Sequence, residues 1–174
     1  QDDIDVYFAT FAKSMAGIGA FLAGNKDVIQ YLQYNMRSQT FAKSLPMAMV
    51  KGALKRLDML RTMPELKEKL WANTNGLQSG LRAAGFDLGT TQTCITPVFL
   101  KGEIPEAMAM VNDLRENHGI FCSIVVYPVI PKGLIILRLI PTATHTKEDI
   151  DETITAFSAI RKLLENGTYK KIAA

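Results

Sequence analysis

The chain has 174 residues, 48% hydrophobic and 21% charged, ordinary proportions for a globular protein and enough for one good core or two small ones. Twenty Lys and Arg against 17 Asp and Glu leave a formal charge of +3, spread along the chain, which excludes the clustered basic face of a nucleic-acid binder. No apolar run approaches the roughly 18 to 20 residues of a membrane span, so neither nucleic acid nor a membrane span is expected.

The N-terminus, with Gln1, Asp2, Asp3 and Asp5, is unlike the basic start of a signal peptide. The chain lacks an initiating Met and enters its first strand within about four residues, so it is expected to be a piece of a larger protein. Val6 to Ala9 and Gly19 to Ala23 read as short buried strands on either side of a turn that carries Lys13. A helix capped by Asn25 follows, with Val28, Ile29, Leu32 and Met36 on one face. "RSQTFAKSLP", Arg37 to Pro46, is a polar connector, and the next helix should hold Pro46 in its first turn and Met47, Val50, Leu54, Leu57 and Leu60 on its apolar stripe. Met63 precedes Pro64 and marks a break. A further helix carries Leu66, Leu70, Leu77 and Leu81 and stops near Gly85.

Beyond Gly85 strands alternate with helices: Cys94 to Leu100, Ile120 to Val126 and Leu134 to Ile140 as strands, Pro105 to Asn117 and Lys147 to Glu165 as helices. Thr146 is the N-cap of the last helix, with Glu148 and Asp149 in its first turn. The glycosylation-like triplet Asn166-Gly167-Thr168 reads as a helix C-cap. Cys94 and Cys122 fit no metal or redox spacing and are expected as free thiols in a reducing cytoplasm. The expected class is α/β, divided into the end of one domain (1–45), connecting helices (46–84) and a small α/β domain (85–174).

Two residues stand out chemically. Lys13 lies between apolar runs, near Gly17, Gly19 and Gly24, with the hydroxyls of Thr10 and Ser14 beside it. A lysine at a strand end can simply face solvent. Held in apolar surroundings, it would instead be a neutral amine able to act as a nucleophile or form a Schiff base, with the hydroxyls suited to a phosphate. Arg138, in "LIILRLI", shares a strand face with Ile136 and Ile140 inside a run that reads as buried on both sides. A buried guanidinium needs an anionic partner, either an internal carboxylate or the carboxylate of a substrate. His118 is expected in a solvated turn and His145 in a structural hydrogen bond before a helix. No Ser–His–Asp set, carboxylate pair or metal cluster stands out.

"TFAKSMAGIGAFLAG" resembles the lysine segment of the α-oxoamine synthases, pyridoxal-phosphate enzymes of fold type I. "FAKSLP", Phe41 to Pro46, is similar to the family's Phe-Ser-x-Ser-x-x-Pro connector, and Val125 to Asp151 is similar to its Pro-x-x-Pro-x-Gly, Leu-Arg and Ala-x-His-Thr signature. The resemblance implies the end of a large cofactor-binding domain followed by a small C-terminal α/β domain, with pyridoxal 5'-phosphate as cofactor. Lys13 would be the Schiff-base lysine and the base for the α-proton, Thr10 would hold the cofactor phosphate, and Arg138 the substrate carboxylate. Ser44 would reach the phosphate of a neighbouring subunit, since the family forms homodimers with shared sites. Ala12 and Ala42 replace usual serines, and Ala20 a usual glycine. A ring-stacking His and an Asp for the pyridine nitrogen would lie upstream, so this piece alone should not be a competent catalyst.

The implied activity joins an amino acid to the acyl group of an acyl-CoA. "YPVIPKG" favours glycine and acetyl-CoA, the reaction of a glycine C-acetyltransferase. "ATHT" favours serine palmitoyltransferase, and 8-amino-7-oxononanoate synthase is a further alternative. A non-catalytic partner subunit is the alternative of another class; the presence of Lys13 argues against it.

Overall fold

A computed structural model of the chain describes residues 3–173, which divide between Pro64 and Glu65 into two compact units. In the first, β1 (Val6–Thr10) and β2 (Ala20–Gly24) form an antiparallel ribbon with Val6 opposite Gly24 and Thr10 opposite Ala20. Gly24 is needed at the end of this ribbon, because a β-carbon there would come 2.5 Å from the Asp5 carbonyl oxygen. The expected burial of both strands is not met. Val6, Tyr7, Phe8 and Phe21 are exposed among the described residues, because the strand pair is packed on α1 (Lys26–Asn35) and has no further layer in this unit. Asn25 caps α1 as expected, its side chain accepting from the Asp27 amide at 2.9 Å. Half-buried Ile29, Leu32 and Met36 then line, with Phe8, Phe21 and Leu22, an apolar groove of about 330 Å³.

The expected polar connector contains one helical turn, α2 (Arg37–Thr40), where the Thr40 hydroxyl donates to the Met36 carbonyl. Pro46 is the N-cap of α3 (Met47–Thr62) rather than a member of its first turn, its ψ of 139° being extended. Thr62 is followed by the break at Met63, which has left the helical region (φ −124°, ψ 66°) as the residue before a proline tends to do.

The second unit contains α4 (Pro64–Ala83) from Glu65 onward, β3 (Thr96–Lys101), α5 (Ile104–His118), β4 (Ser123–Val125), β5 (Leu134–Leu139), α6 (Lys147–Glu165) and α7 (Thr168–Ala173). Its three strands run antiparallel in the order β3-β5-β4. Ile135, Leu137 and Leu139 of the central strand are buried, whereas Leu134, Arg138 and Ile140 are exposed. The run expected to be buried on both sides is therefore half-buried: an antiparallel sheet with helices on one face leaves the other open. On the covered face Val98 and Leu137 meet Leu81, Met110, Phe157 and Ile160 from three helices. Gly80 lets α6 approach, because a β-carbon there would collide with Ile154. At the other end of α6, Arg161 donates to the Ala84 carbonyl at 2.7 Å and lies over the Phe86 ring.

Thr146 caps α6 in a reciprocal box with Asp149, the expected start. Asn166 is its C-cap and Gly167 turns through a φ of +74°. The short α7 was not expected. It is anchored by buried Tyr169, whose hydroxyl donates to Asp113 Oδ2 of α5 at 2.5 Å. Burial and the adjacent carboxylate push the Tyr169 phenol well above its ordinary value.

Candidate active site

Lys13 stands in the loop between β1 and β2, a segment held by its own backbone. The Phe11 amide donates to the Gly19 carbonyl at 2.9 Å, the Gly17 amide to the Phe11 carbonyl at 2.7 Å, and the Ala16 amide to the Lys13 carbonyl at 2.9 Å. Ala16 adopts a φ of 43° and Gly19 one of 98°, so the chain reverses through two left-handed positions. Only Gly19 takes such a φ without cost. The result is a braced loop presenting a primary amine that pairs with no carboxylate among the described residues. Lys13 is exposed. The apolar enclosure expected around it is not supplied within this unit.

Thr10 is where the sequence places it, at the base of this loop, but its hydroxyl is already engaged. It donates to the Gly19 carbonyl at 3.2 Å and accepts from the Ala12 amide at 3.1 Å. As it stands, its single proton faces the loop. Ser44 is exposed on the segment between α2 and α3. The next residue, Leu45, rests on Gly19, which ties the Ser44 segment to the lysine loop.

Arg138 belongs to the second unit and is described there. It is exposed, contrary to the expected burial, because it points from the open face of the sheet. Its cross-strand neighbours are Pro97 on β3 and Ser123 on β4. Its Nε–H donates to Ser123 Oγ at 3.0 Å, and among the described residues no carboxylate lies within ion-pair reach. The internal salt bridge considered from sequence is thus absent among them. Around it the open face is mainly apolar, with Pro97, Phe99, Val125 and Ile136 turned the same way along their strands. Ser123 is the residue that sequence reading missed. It is one hydroxyl in an apolar run, and only strand register sets it opposite the arginine.

A separate cleft of about 300 Å³ in the second unit is lined by His118, His145, Phe121, Asp149 and Glu152 among others, and by none of the four nominated residues. Part of its polar lining is committed to the fold: His145 Nδ1 accepts from the Thr142 amide at 3.1 Å, and Asp149 closes the α6 capping box. His145 therefore has the expected structural hydrogen bond, and His118 is exposed at the end of α5. Asp149 is held below the usual carboxylate range by the hydrogen bonds from Thr146.

Residues 1–157 match the family described as Aminotransferase class I and II. The chain belongs to that family. Among curated aminotransferase-family relatives it is similar to a cysteate-C-fatty acyltransferase of Capnocytophaga ochracea, 72% identical over all 174 residues of this chain and 41% of that protein. It is 38% identical to a serine palmitoyltransferase of Sphingobacterium spiritivorum over 94% of this chain and 41% of the relative. Among solved structures, SPT with a PLP internal aldimine superposes with a TM-score of 0.82 at 32% identity, over 90% of this chain and 39% of the other. The chain thus spans about two-fifths of the length of these relatives. The fold is that of the fold type I pyridoxal-phosphate enzymes, and the α-oxoamine synthase resemblance and its cofactor class agree with these aminotransferase-family relatives.

Proposed function

We propose that this chain supplies the reactive lysine and the carboxylate-binding arginine of a pyridoxal-phosphate-dependent C-acyltransferase that joins an amino acid to a fatty acyl group. The observation that carries this reading is the braced loop that displays the Lys13 amine, unpaired among the described residues. A primary amine flanked by the hydroxyls of Thr10 and Ser14 is the donor set an aldehyde-bearing phosphate requires, so the residues fit the cofactor. Bound there, the cofactor supplies an electron sink that makes the substrate Cα–H acidic.

The chain's own residues have distinct tasks. Lys13 would hold the cofactor through its Nζ amine and would be the base placed to take the proton from the substrate Cα. Thr10 would donate to the cofactor phosphate in place of its present bond to the Gly19 carbonyl. Ser44 contacts the phosphate in the partner subunit of a homodimer. Arg138 binds the carboxylate of the amino acid; its open Nη edge and the lack of a carboxylate partner among the described residues support this. As the Cα–carbonyl bond forms, the thioester C–S bond breaks and CoA leaves as the thiolate.

For substrates, similarity to the Capnocytophaga protein favours cysteate and a long acyl chain over the glycine and acetyl-CoA expected from "YPVIPKG". The serine–palmitoyl pair is the second reading, supported by the Sphingobacterium relative. Free Cys94 and Cys122 support a reducing, cytoplasmic setting. No helix among the described residues is long and apolar enough to cross a membrane. The test is CoA release by the full-length protein with cysteate, serine or glycine against acetyl-CoA and palmitoyl-CoA. Turnover is expected with cysteate and the long chain. Turnover restricted to glycine and acetyl-CoA would restore the substrate pair expected from the sequence, and no turnover with any pair would refute the acyltransferase reading.

A further inference from the structure

We propose that Ser123 is a positioning residue that selects which edge of Arg138 meets the substrate carboxylate, an inference resting on the carboxylate role given to Arg138 above. A guanidinium offers a carboxylate two forked edges, one made of Nε and an Nη, the other of both Nη atoms. Here Nε is taken: it donates to Ser123 Oγ at 3.0 Å. Neither Nη makes a hydrogen bond among the described residues. The side-on fork is therefore closed and the end-on fork is open.

The geometry arises from strand register. Ser123 pairs directly with Arg138 across β4 and β5, so the two side chains leave the same face of the sheet as nearest neighbours. On the other flank Arg138 pairs with Pro97, whose side chain has no hydrogen-bonding group. Along β5 its same-face neighbour is Ile136, and Ile140 follows just past the end of the strand. Among these neighbours Ser123 alone can accept from the guanidinium and restrict its rotation. A long side chain on an open face otherwise keeps its rotamer freedom, and binding would have to overcome that entropy. Fixing Nε before the substrate arrives reduces this cost and aims the Nη pair.

The test uses the full-length apo-protein and two stable probes, the reduced phosphopyridoxyl conjugates of cysteate and of taurine, which differ by the carboxylate alone. The ratio of their dissociation constants, measured by calorimetry, reports carboxylate recognition without turnover. Ser123→Ala should lower this ratio by about tenfold, the loss of one hydrogen bond to a charged group, while Ser123→Thr, which keeps the acceptor, should restore it. Arg138→Ala should bring the ratio near one. An unchanged ratio in Ser123→Ala beside a collapsed ratio in Arg138→Ala would overturn the positioning role and leave the arginine's role standing. An unchanged ratio in Arg138→Ala would overturn the carboxylate reading itself and this inference with it. Equal loss in Ser123→Ala and Ser123→Thr would also overturn it, since it would show a packing effect rather than an acceptor.

Discussion

Leu45 rests on the backbone of Gly19: a β-carbon on Gly19 would lie 2.5 Å from Leu45 Cδ2, at a φ of 98°. The contact joins the Ser44 segment to the closing end of the Lys13 loop. Gly19→Ala therefore meets two obstacles, a left-handed backbone and a crowded side chain. The expected destabilisation is about 1–2 kcal/mol from the backbone, with a further packing part that Leu45→Ala relieves. Urea unfolding of the single and double variants of the full-length protein separates the two. A Gly19→Ala protein as stable as wild type would show that the loop does not hold this conformation.

Lys13 should be the residue modified when the full-length protein is mixed with pyridoxal phosphate and reduced by borohydride. Peptide mapping locates the adduct. Lys13→Ala should lose it and lower turnover by roughly 10²–10⁴-fold, the usual range for a missing proton-transfer group. An adduct on Lys26 or Lys43 instead would refute the assignment.

Ser44 is proposed to act in the partner's site, which gives a complementation test. In a hybrid dimer of Lys13→Ala and Ser44→Ala subunits, one site carries both defects and the other carries neither. Mixing the two inactive or weakened proteins, after dissociation and reassembly, should raise activity above both parents. If Ser44 served its own subunit, each hybrid site would carry one defect and no rise would occur.

Cys122 is buried and its thiol is pushed up to about 11 by that burial, whereas Cys94 is only partly covered. Iodoacetamide at mildly alkaline pH should label Cys94 and spare Cys122 until denaturant is added. Because the folded value lies above the unfolded one of 9.0, the thiol's contribution is fully present below pH 9.0 and is lost as pH rises through about 11. Cys122→Ala should flatten that alkaline decline; an unchanged slope would show that other groups cause it.

Tyr169→Phe removes the hydrogen bond to Asp113 and should cost about 1.5–3 kcal/mol, the range for a bond to a charged group. Burial opposes ionisation of Asp113, but hydrogen bonds from Asn117 and Tyr169 and the nearby His118 outweigh it and hold the carboxyl below its usual value. Its contribution is therefore present above pH 3.8 and lost as pH falls through the lowered value. The Phe variant should lose part of this acid sensitivity in pH-dependent unfolding. Wild-type stability in the variant would sink the idea that this bond anchors α7.

The sequence by itself determined the elements whose causes are local. Asn25 and Thr146 cap helices through side chains a few residues from the amides they serve. Met63 breaks a helix because the next residue is proline, and the lysine turn is marked by its glycines. The motifs around Lys13, Ser44 and Arg138 were legible because they are contiguous. Tertiary structure alone decided whatever depends on which faces are covered. "LIILRLI" contains too few polar residues to reveal that one side of β5 is open, and the apolar strands flanking Lys13 do not say how many layers will pack on them. Register decided the rest. Ser123 and Arg138 are fifteen residues apart, and a slip of one residue would turn either side chain to the opposite face of the sheet. Local chemistry names the arginine; pairing across strands chooses its partner.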